Sequence, residues 1–170
     1  LKLKAFSHEY FKALKEIRKK RIIFFNGCFD IIHPGHLALI NKALSNKNLT
    51  NNAVVICGIN SDESAKSQKK SHPLVNNETS RAEMLLALGV DHVIIFDDAT
   101  PKNVIMSLMP DLVITTSEYS SRFGNCEDLD FCRGHDIDVI SIATIAGYST
   151  SSIYRKIEEQ VKAKVRESLQ

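Results

Sequence analysis

Five short apolar runs, separated by segments with helical periodicity, constrain this chain more than any other feature of its sequence. The runs are Arg21 to Phe25, Ala53 to Ile59, His92 to Phe96, Leu112 to Thr115 and Asp138 to Ile142. They are rich in β-branched residues and nearly continuous in apolar character. That pattern belongs to strands covered on both faces, as in a parallel sheet.

Helical patterns alternate with the strands. Phe6, Tyr10, Leu14 and Ile17 predict an opening helix within residues 1–20, and Leu37, Ile40 and Leu44 predict a second. Ala82, Leu85 and Leu86 predict a third, with Asn77 as its cap and Gly89 as its stop. Pro101 suits the first turn of a helix through Val104, Ile105 and Leu108. Ile153, Ile157, Val161, Val165 and Leu169 recur every four residues in a last helix over 149–169. Segments 67–76 and 117–125 read as loops. Strands alternating with helices predict a doubly wound α/β sheet, and 170 residues make one domain spanning 1–170.

Composition excludes several classes. Hydrophobic residues at 44% and charged residues at 25% describe a globular chain, not a disordered one. A net charge of +2 is too near neutral to point to a nucleic-acid or membrane partner. The opening Leu1-Lys2-Leu3-Lys4 lacks the apolar core of a signal peptide. Cys28, Cys57, Cys126 and Cys132 form neither a Cys-x-x-Cys pair nor a zinc spacing, so reduced thiols in a cytoplasmic setting are expected.

Three groups of residues carry chemistry. The first is Asn26-Gly27-Cys28-Phe29-Asp30-Ile31-Ile32-His33-Pro34-Gly35-His36, which follows the first of the five strands and opens the second helix. Ligands in open α/β sheets sit at the carboxyl ends of strands, where a helix N-terminus offers free N–H groups to anions. Pro34 starts the helix without wasting a donor, and Gly35 leaves room for a phosphate to approach the backbone. His33 and His36 are three apart, so both imidazoles lie on one face of the first turn and can donate to one phosphate. The plainer alternative makes one His a helix cap and the other incidental.

The second group is Gly147-Tyr148-Ser149-Thr150-Ser151-Ser152, at the start of the last helix. Its hydroxyls either cap that helix or bind a second phosphate. The third is basic: Lys66, Lys69 and Lys70, with Arg81 early in the following helix. Surface lysines are usually only solvated. Arg81 is the stronger candidate to hold a triphosphate or acceptor phosphate. Arg18-Lys19-Lys20-Arg21 ends the opening helix, where cations suit the dipole.

At these residues the chain resembles the cytidylyltransferase-like nucleotidyltransferases, which share a His-x-Gly-His motif. More narrowly, it is similar to the nucleotidyltransferase domains of the ADP-heptose synthases. Arg21 through Asp30, Asn60-Ser61-Asp62, Arg81, Thr100-Pro101, Pro110-Asp111-Leu112 and Ser149-Thr150-Ser151 line up with that branch.

The resemblance implies a Rossmann-like fold and a dimer, with Mg²⁺ bound through the triphosphate and not directly by the protein. It implies catalysis by His33 and His36, which would stabilise charge on the α-phosphate while the acceptor's own phosphate oxygen attacks and pyrophosphate leaves. Nucleotide contacts are implied for Phe25, Asn26, Gly27, Cys28, Phe29, Asp30, Gly35, Arg81, Glu118, Ser149, Thr150 and Ser151. Lys66, Lys69, Asn60 and Asp62 are further candidates for phosphate or acceptor contacts.

The chain departs from the heptose branch at Thr115-Thr116-Ser117-Glu118-Tyr119, where a Lys-Gly-Gly-Asp-Tyr-like segment is usual, and at Pro73-Leu74, where Arg-Pro is common. Thr144 and Ala146 stand where cytidylyltransferases carry Arg and Glu, which favours ATP over CTP as donor; the resemblance to the heptose branch implies a sugar 1-phosphate such as heptose 1-phosphate as acceptor. The competing expectations are cytidylyl transfer to an alcohol phosphate such as glycerol 3-phosphate, and a nucleotide-binding protein without catalysis.

Overall fold

A computed structural model describes residues 1–68, 73–122 and 126–169, the side chains of 120–122 excepted. In chain order the elements are β1 (Lys2–Lys4), α1 (His8–Ile17), β2 (Arg21–Gly27), α2 (Pro34–Asn48), β3 (Ala53–Asn60), α3 (Asp62–Gln68) and α4 (Glu78–Ala87). There follow β4 (His92–Phe96), α5 (Lys102–Leu108), β5 (Leu112–Thr116), α6 (Ser117–Arg122), α7 (Glu127–Gly134), β6 (Asp138–Ile142) and α8 (Thr150–Ser168). The strands form one parallel sheet in the order β1-β4-β3-β2-β5-β6.

The alternation along each strand divides the core in two. Ile22, Phe24, Val54, Ile56, Ile94 and Phe96 point to the face covered by α1, α5 and α7. Ile23, Phe25, Val55, Cys57, Val93 and Ile95 point to the opposite face, under α2 and α4. Each buried aliphatic or aromatic side chain contributes about 1.5–3 kcal/mol relative to exposure, so the two layers account for most of the drive to fold. The chain winds from β2 through β3 to β4 in one direction and from β5 to β6 in the other. The crevice where the direction changes opens between the carboxyl ends of β2 and β5, the place such sheets keep for ligands. Asp111 fixes the opposite end of that pair, its Oδ2 accepting 2.7 Å from the Ile22 N–H.

The expected doubly wound sheet is present, and the five expected strands begin where the apolar runs begin. Asn77 caps α4, its side chain accepting from Ser80 N–H, and Gly89 beyond α4 takes φ +97°. Several details differ. Residues 2–4 are a strand, not helix: Leu3 is buried between two outward lysines, a period-two pattern that pairs with β4. Phe6 lies outside α1, exposed and at φ 59°, because Ser7 caps that helix by accepting from Tyr10 N–H. In α2 the buried face is Leu39, Ile40 and Ala43, while Leu37 is exposed. β6 is an edge strand and half open, not covered on both faces. Both expected loops contain helix: α3 reaches Gln68, and α6 covers Ser117–Arg122. α7, which no sequence pattern foretold, packs Leu129 and Cys132 into the core.

Gly58 shows how tightly the central strand is filled. A Cβ there would stand 2.8 Å from Phe24 Cζ and 3.2 Å from Phe96 Cε1, both in rings with no room to retreat. Gly58→Ala is expected to cost about 1–3 kcal/mol by overpacking. Urea denaturation followed by circular dichroism measures this; an unchanged midpoint would show that the two rings can separate.

Candidate functional site

The site forms at the carboxyl end of β2, where Gly27 ends the strand and the chain turns toward α2. A Cβ on Gly27 would lie 2.8 Å from the Phe29 ring, so only glycine lets that ring fold back over the strand. Phe29 is buried and held at φ 51°, a left-handed conformation that costs a non-glycine residue about 1–2 kcal/mol. Its ring packs edge-on against Phe25, with centroids 5.8 Å apart, and lies 4.8 Å from the His36 ring. Through this packing, strand β2 sets the position of a histidine on α2.

His33 occupies the N-cap of α2 in extended conformation, and its side chain makes no cap hydrogen bond. Its carbonyl accepts from His36 N–H at 2.9 Å and Leu37 N–H at 3.1 Å, closing the first turn. Pro34 stands at the start of the helix as expected. The imidazoles of His33 and His36 stack at 3.7 Å with 21° between their planes. Two stacked cations would repel strongly at this distance. Burial holds His33 below its ordinary range, and a neutral imidazole relieves that conflict while keeping one N–H to donate. His33 Nδ1 is buried and has no hydrogen-bond partner among the described residues.

Gly35 separates the histidines from the second segment. A Cβ there would lie 3.0 Å from His33 Cε1 and 3.7 Å from the Tyr148 carbonyl oxygen. The loop before α8 is therefore beside the first turn of α2, as the sequence suggested. Ser149 spends its hydroxyl as the cap of α8, accepting 3.1 Å from Ser152 N–H in a reciprocal capping box. Thr150 begins that helix half-buried, and Ser151 is exposed.

The other expected residues fall into distinct groups. Asp30 is fully buried, and its Oδ1 accepts from Val75 N–H at 3.0 Å and Asn76 N–H at 2.9 Å. It organises the 73–77 segment, which Tyr154 of α8 also grips by donating 2.7 Å to the Pro73 carbonyl. Asn60 is buried and donates to Ser64 Oγ and the Asp98 carbonyl, so its amide serves the fold. Arg81, expected on a phosphate, is fully buried. Its Nη1 donates to the Cys28 carbonyl, and its Nη2 donates to the Asn60 carbonyl and Asp62.

Cys28 is half-exposed at the turn, Asn26 is at the end of β2, and Glu118 is exposed on α6. Lys66 lines a shallow cleft of about 540 Å³ with Lys4, Ser61, Asp62, Glu63, Glu78 and Asp97. Neither histidine borders that cleft. Its carboxylates outnumber its lysines, a poor setting for a phosphate. Lys69 and Lys70 lie outside the described residues.

Tyr119 and Asp128 were not foreseen. Tyr119 donates 2.9 Å to Asp128, which is buried, and also hydrogen-bonds Asn26. Burial, with the Asp128 charge, drives the phenol far above its ordinary range, so it stays a donor. The pair ties α6 and α7 to the end of β2. No helix among the described residues is long and apolar enough to cross a membrane.

Comparison with known proteins agrees with this geometry. A family model described as cytidylyltransferase-like matches residues 24–161, most of the chain and all of the site. A protein of Hyphomonas neptunium named bifunctional protein HldE is 38% identical over 139 residues, 81% of this chain and 27% of its own length. The protein of that name from Campylobacter jejuni subsp. jejuni is 39% identical over 155 residues, 91% of this chain and 31% of its own length. The chain thus spans under a third of these relatives. Among solved structures, a pantoate-beta-alanine ligase from Francisella tularensis superposes with TM-score 0.62 at 16% identity, covering 92% of this chain and 73% of that one. A lipopolysaccharide core biosynthesis protein from Thermoplasma volcanium superposes with TM-score 0.56 at 17% identity, covering 73% of this chain and 97% of that one. At such identities these two speak for the fold alone. The motif, the crevice that holds it and the family match agree: the chain belongs to the cytidylyltransferase-like family of nucleotidyltransferases.

Proposed function

We propose that this chain transfers an adenylyl group from ATP to a phosphorylated small molecule, a sugar 1-phosphate such as heptose 1-phosphate, and releases pyrophosphate. The observation that carries this reading is the stacked His33/His36 pair on the first turn of α2, beside the Tyr148 backbone. An acceptor phosphate oxygen attacks the α-phosphorus in line, the bond from that phosphorus to the bridging oxygen breaks, and pyrophosphate departs. The imidazole N–H groups and the Gly35 amide at the start of α2 meet the charge that develops on the α-phosphate. No protein nucleophile is required.

The donors around the two histidines suit phosphate oxygens. No group of three acidic, His or Cys side chains gathers into a metal cage among the described residues. Mg²⁺ enters this reading on the triphosphate, where it offsets phosphate charge. The choice of ATP rests on Thr144 and Ala146, which remove the charged pair seen in cytidylyltransferases. The choice of a sugar phosphate rests on the similarity to the HldE proteins.

Pyrophosphate release, measured over a grid of nucleotides and phosphorylated acceptors, tests the reading. ATP with a sugar 1-phosphate is expected to be the productive pair. His33→Ala and His36→Ala are each expected to lower kcat about a hundredfold or more while the fold persists. Near-parental turnover in either folded variant refutes the mechanism, and turnover with CTP and glycerol 3-phosphate alone refutes the substrates.

The proposal includes a homodimer. α8 buries none of its residues, and Ile157, Val161 and Val165 lie about half exposed along one stripe. A single fold does not usually leave such a stripe in water. Light scattering is expected to give twice the chain mass, and Val161→Glu is expected to halve it; a monomeric parent protein removes the dimer from the proposal.

A further inference from the structure

We infer that Arg81 is a positioning residue: it sets the geometry of the two histidines through the Cys28–Phe29 peptide and does not touch the phosphates. The inference rests on the nucleotidyl-transfer reading for its kinetic consequences, but its structural content stands apart from that reading.

The guanidinium is fully buried and joins three segments that sequence alone leaves separate. Nη1 donates 2.7 Å to the Cys28 carbonyl and lies 3.8 Å from Cys28 Sγ. Nη2 donates 2.8 Å to the Asn60 carbonyl at the end of β3, and 2.8 Å to Asp62 Oδ1 at the start of α3. Asp62 is the counter-ion, and its own N–H is held at 2.8 Å by Glu78 Oε2 on α4, three residues before Arg81 itself. Asp62 is partly exposed, but the guanidinium is fully buried, and removing its counter-ion would leave that buried charge uncompensated, so the arrangement resists rearrangement.

What this clamp holds matters for the site. The Cys28 carbonyl belongs to the same peptide plane as the Phe29 nitrogen, and Phe29 is the strained residue at φ 51°. Fixing that carbonyl fixes the plane about which the Phe29 φ turns. The Phe29 ring lies 4.8 Å from His36, and His36 is stacked 3.7 Å on His33. A chain of direct contacts therefore runs from the Arg81 guanidinium to both imidazoles, with one residue of strained φ between. Arg81 Nε is buried with no partner among the described residues. The side chain has no exposed surface from which to reach a ligand.

The test uses Arg81→Lys, Arg81→Met and Asp62→Asn in the full chain, with two readouts. The first is the ring signals of His33 and His36 by ¹H–¹³C NMR, assigned by single His variants. These signals are expected to move in all three variants, least in Asp62→Asn, which keeps both carbonyl contacts. Folded Lys and Asn variants with unmoved imidazole signals overturn the inference, even if Met does not fold. This readout needs no turnover, so it decides the clamp whether or not nucleotidyl transfer is confirmed.

The second readout is steady-state kinetics of pyrophosphate release. Arg81→Met is expected to lower kcat about tenfold or more with less than about a threefold change in either KM, and Lys is expected to restore part of the loss. Combined with His36→Ala, it is expected to add less than about a threefold further loss, because both variants disable one unit. A rise in KM for nucleotide or acceptor at unchanged kcat makes Arg81 a phosphate ligand instead. Full additivity with His36→Ala separates it from the histidines. Either result overturns the inference.

Discussion

Burial of β2, β3 and β4 on both faces is the constraint from which the rest of this structure follows. Residues such as Phe24 and Phe25, adjacent in sequence and pointing to opposite faces, are both fully buried. A strand of that kind cannot tolerate solvent on either side, so helices must cover both. Parallel neighbours in turn require the chain to cross back between strands, and each crossing leaves one loop at the carboxyl edge. The turn at residues 27–33, the 60–62 junction and the loop before α8 are brought to one edge by that rule. None of them needs long-range affinity for the others to arrive there.

Within that edge, precision comes from packing against the strand and not from the loop itself. A loop that only spanned 28–33 could hold its imidazoles in many arrangements. Here Gly27 admits the Phe29 ring, Phe25 supports it, and the ring meets His36. Asp30 then ties the other side of the turn to the 75–76 amides, and Tyr154 ties that segment to α8. Catalysis by positioning and electrostatics loses rate steeply when donors are misplaced by an ångström, so a strained but over-determined turn suits it.

Much of this could be read from the residues. The strands were legible because a continuous apolar run bounded by turn residues has few other uses, and the pairing of the histidines because two imidazoles three residues apart in a helix's first turn must share a face. β1 was hidden by its length: three residues with one apolar side chain give no statistical signal, and Leu3 becomes a core residue only because β4 offers it an edge. α7 was hidden by composition, since Glu127, Asp128 and Asp130 make its first turn look like a loop until Leu129 and Cys132 find the core. The fold contacts of Asn60 and Arg81 were not legible in the sequence for one reason. A polar residue near an anion site looks like a ligand in sequence, and only the three-dimensional list of its partners shows whether it still has donors to give.

Arg81 makes that point in energetic terms. A guanidinium on a phosphate and a guanidinium in a protein cage both satisfy planar donors with oxygens, so the same residue type fits either role. The difference is desolvation. A ligand arginine must be partly hydrated before substrate arrives, whereas this one is stripped of water in the fold and repaid by two carbonyls and a carboxylate. Moving it onto a substrate would break all three contacts and leave Asp62 without its counter-ion. The triphosphate would then have to compensate that loss before contributing any net binding. In the positioning role inferred above, the cheaper division of labour leaves the cation inside, holding the turn, and gives the phosphates to the imidazoles at the start of α2, of which His33 is held below its ordinary range by burial.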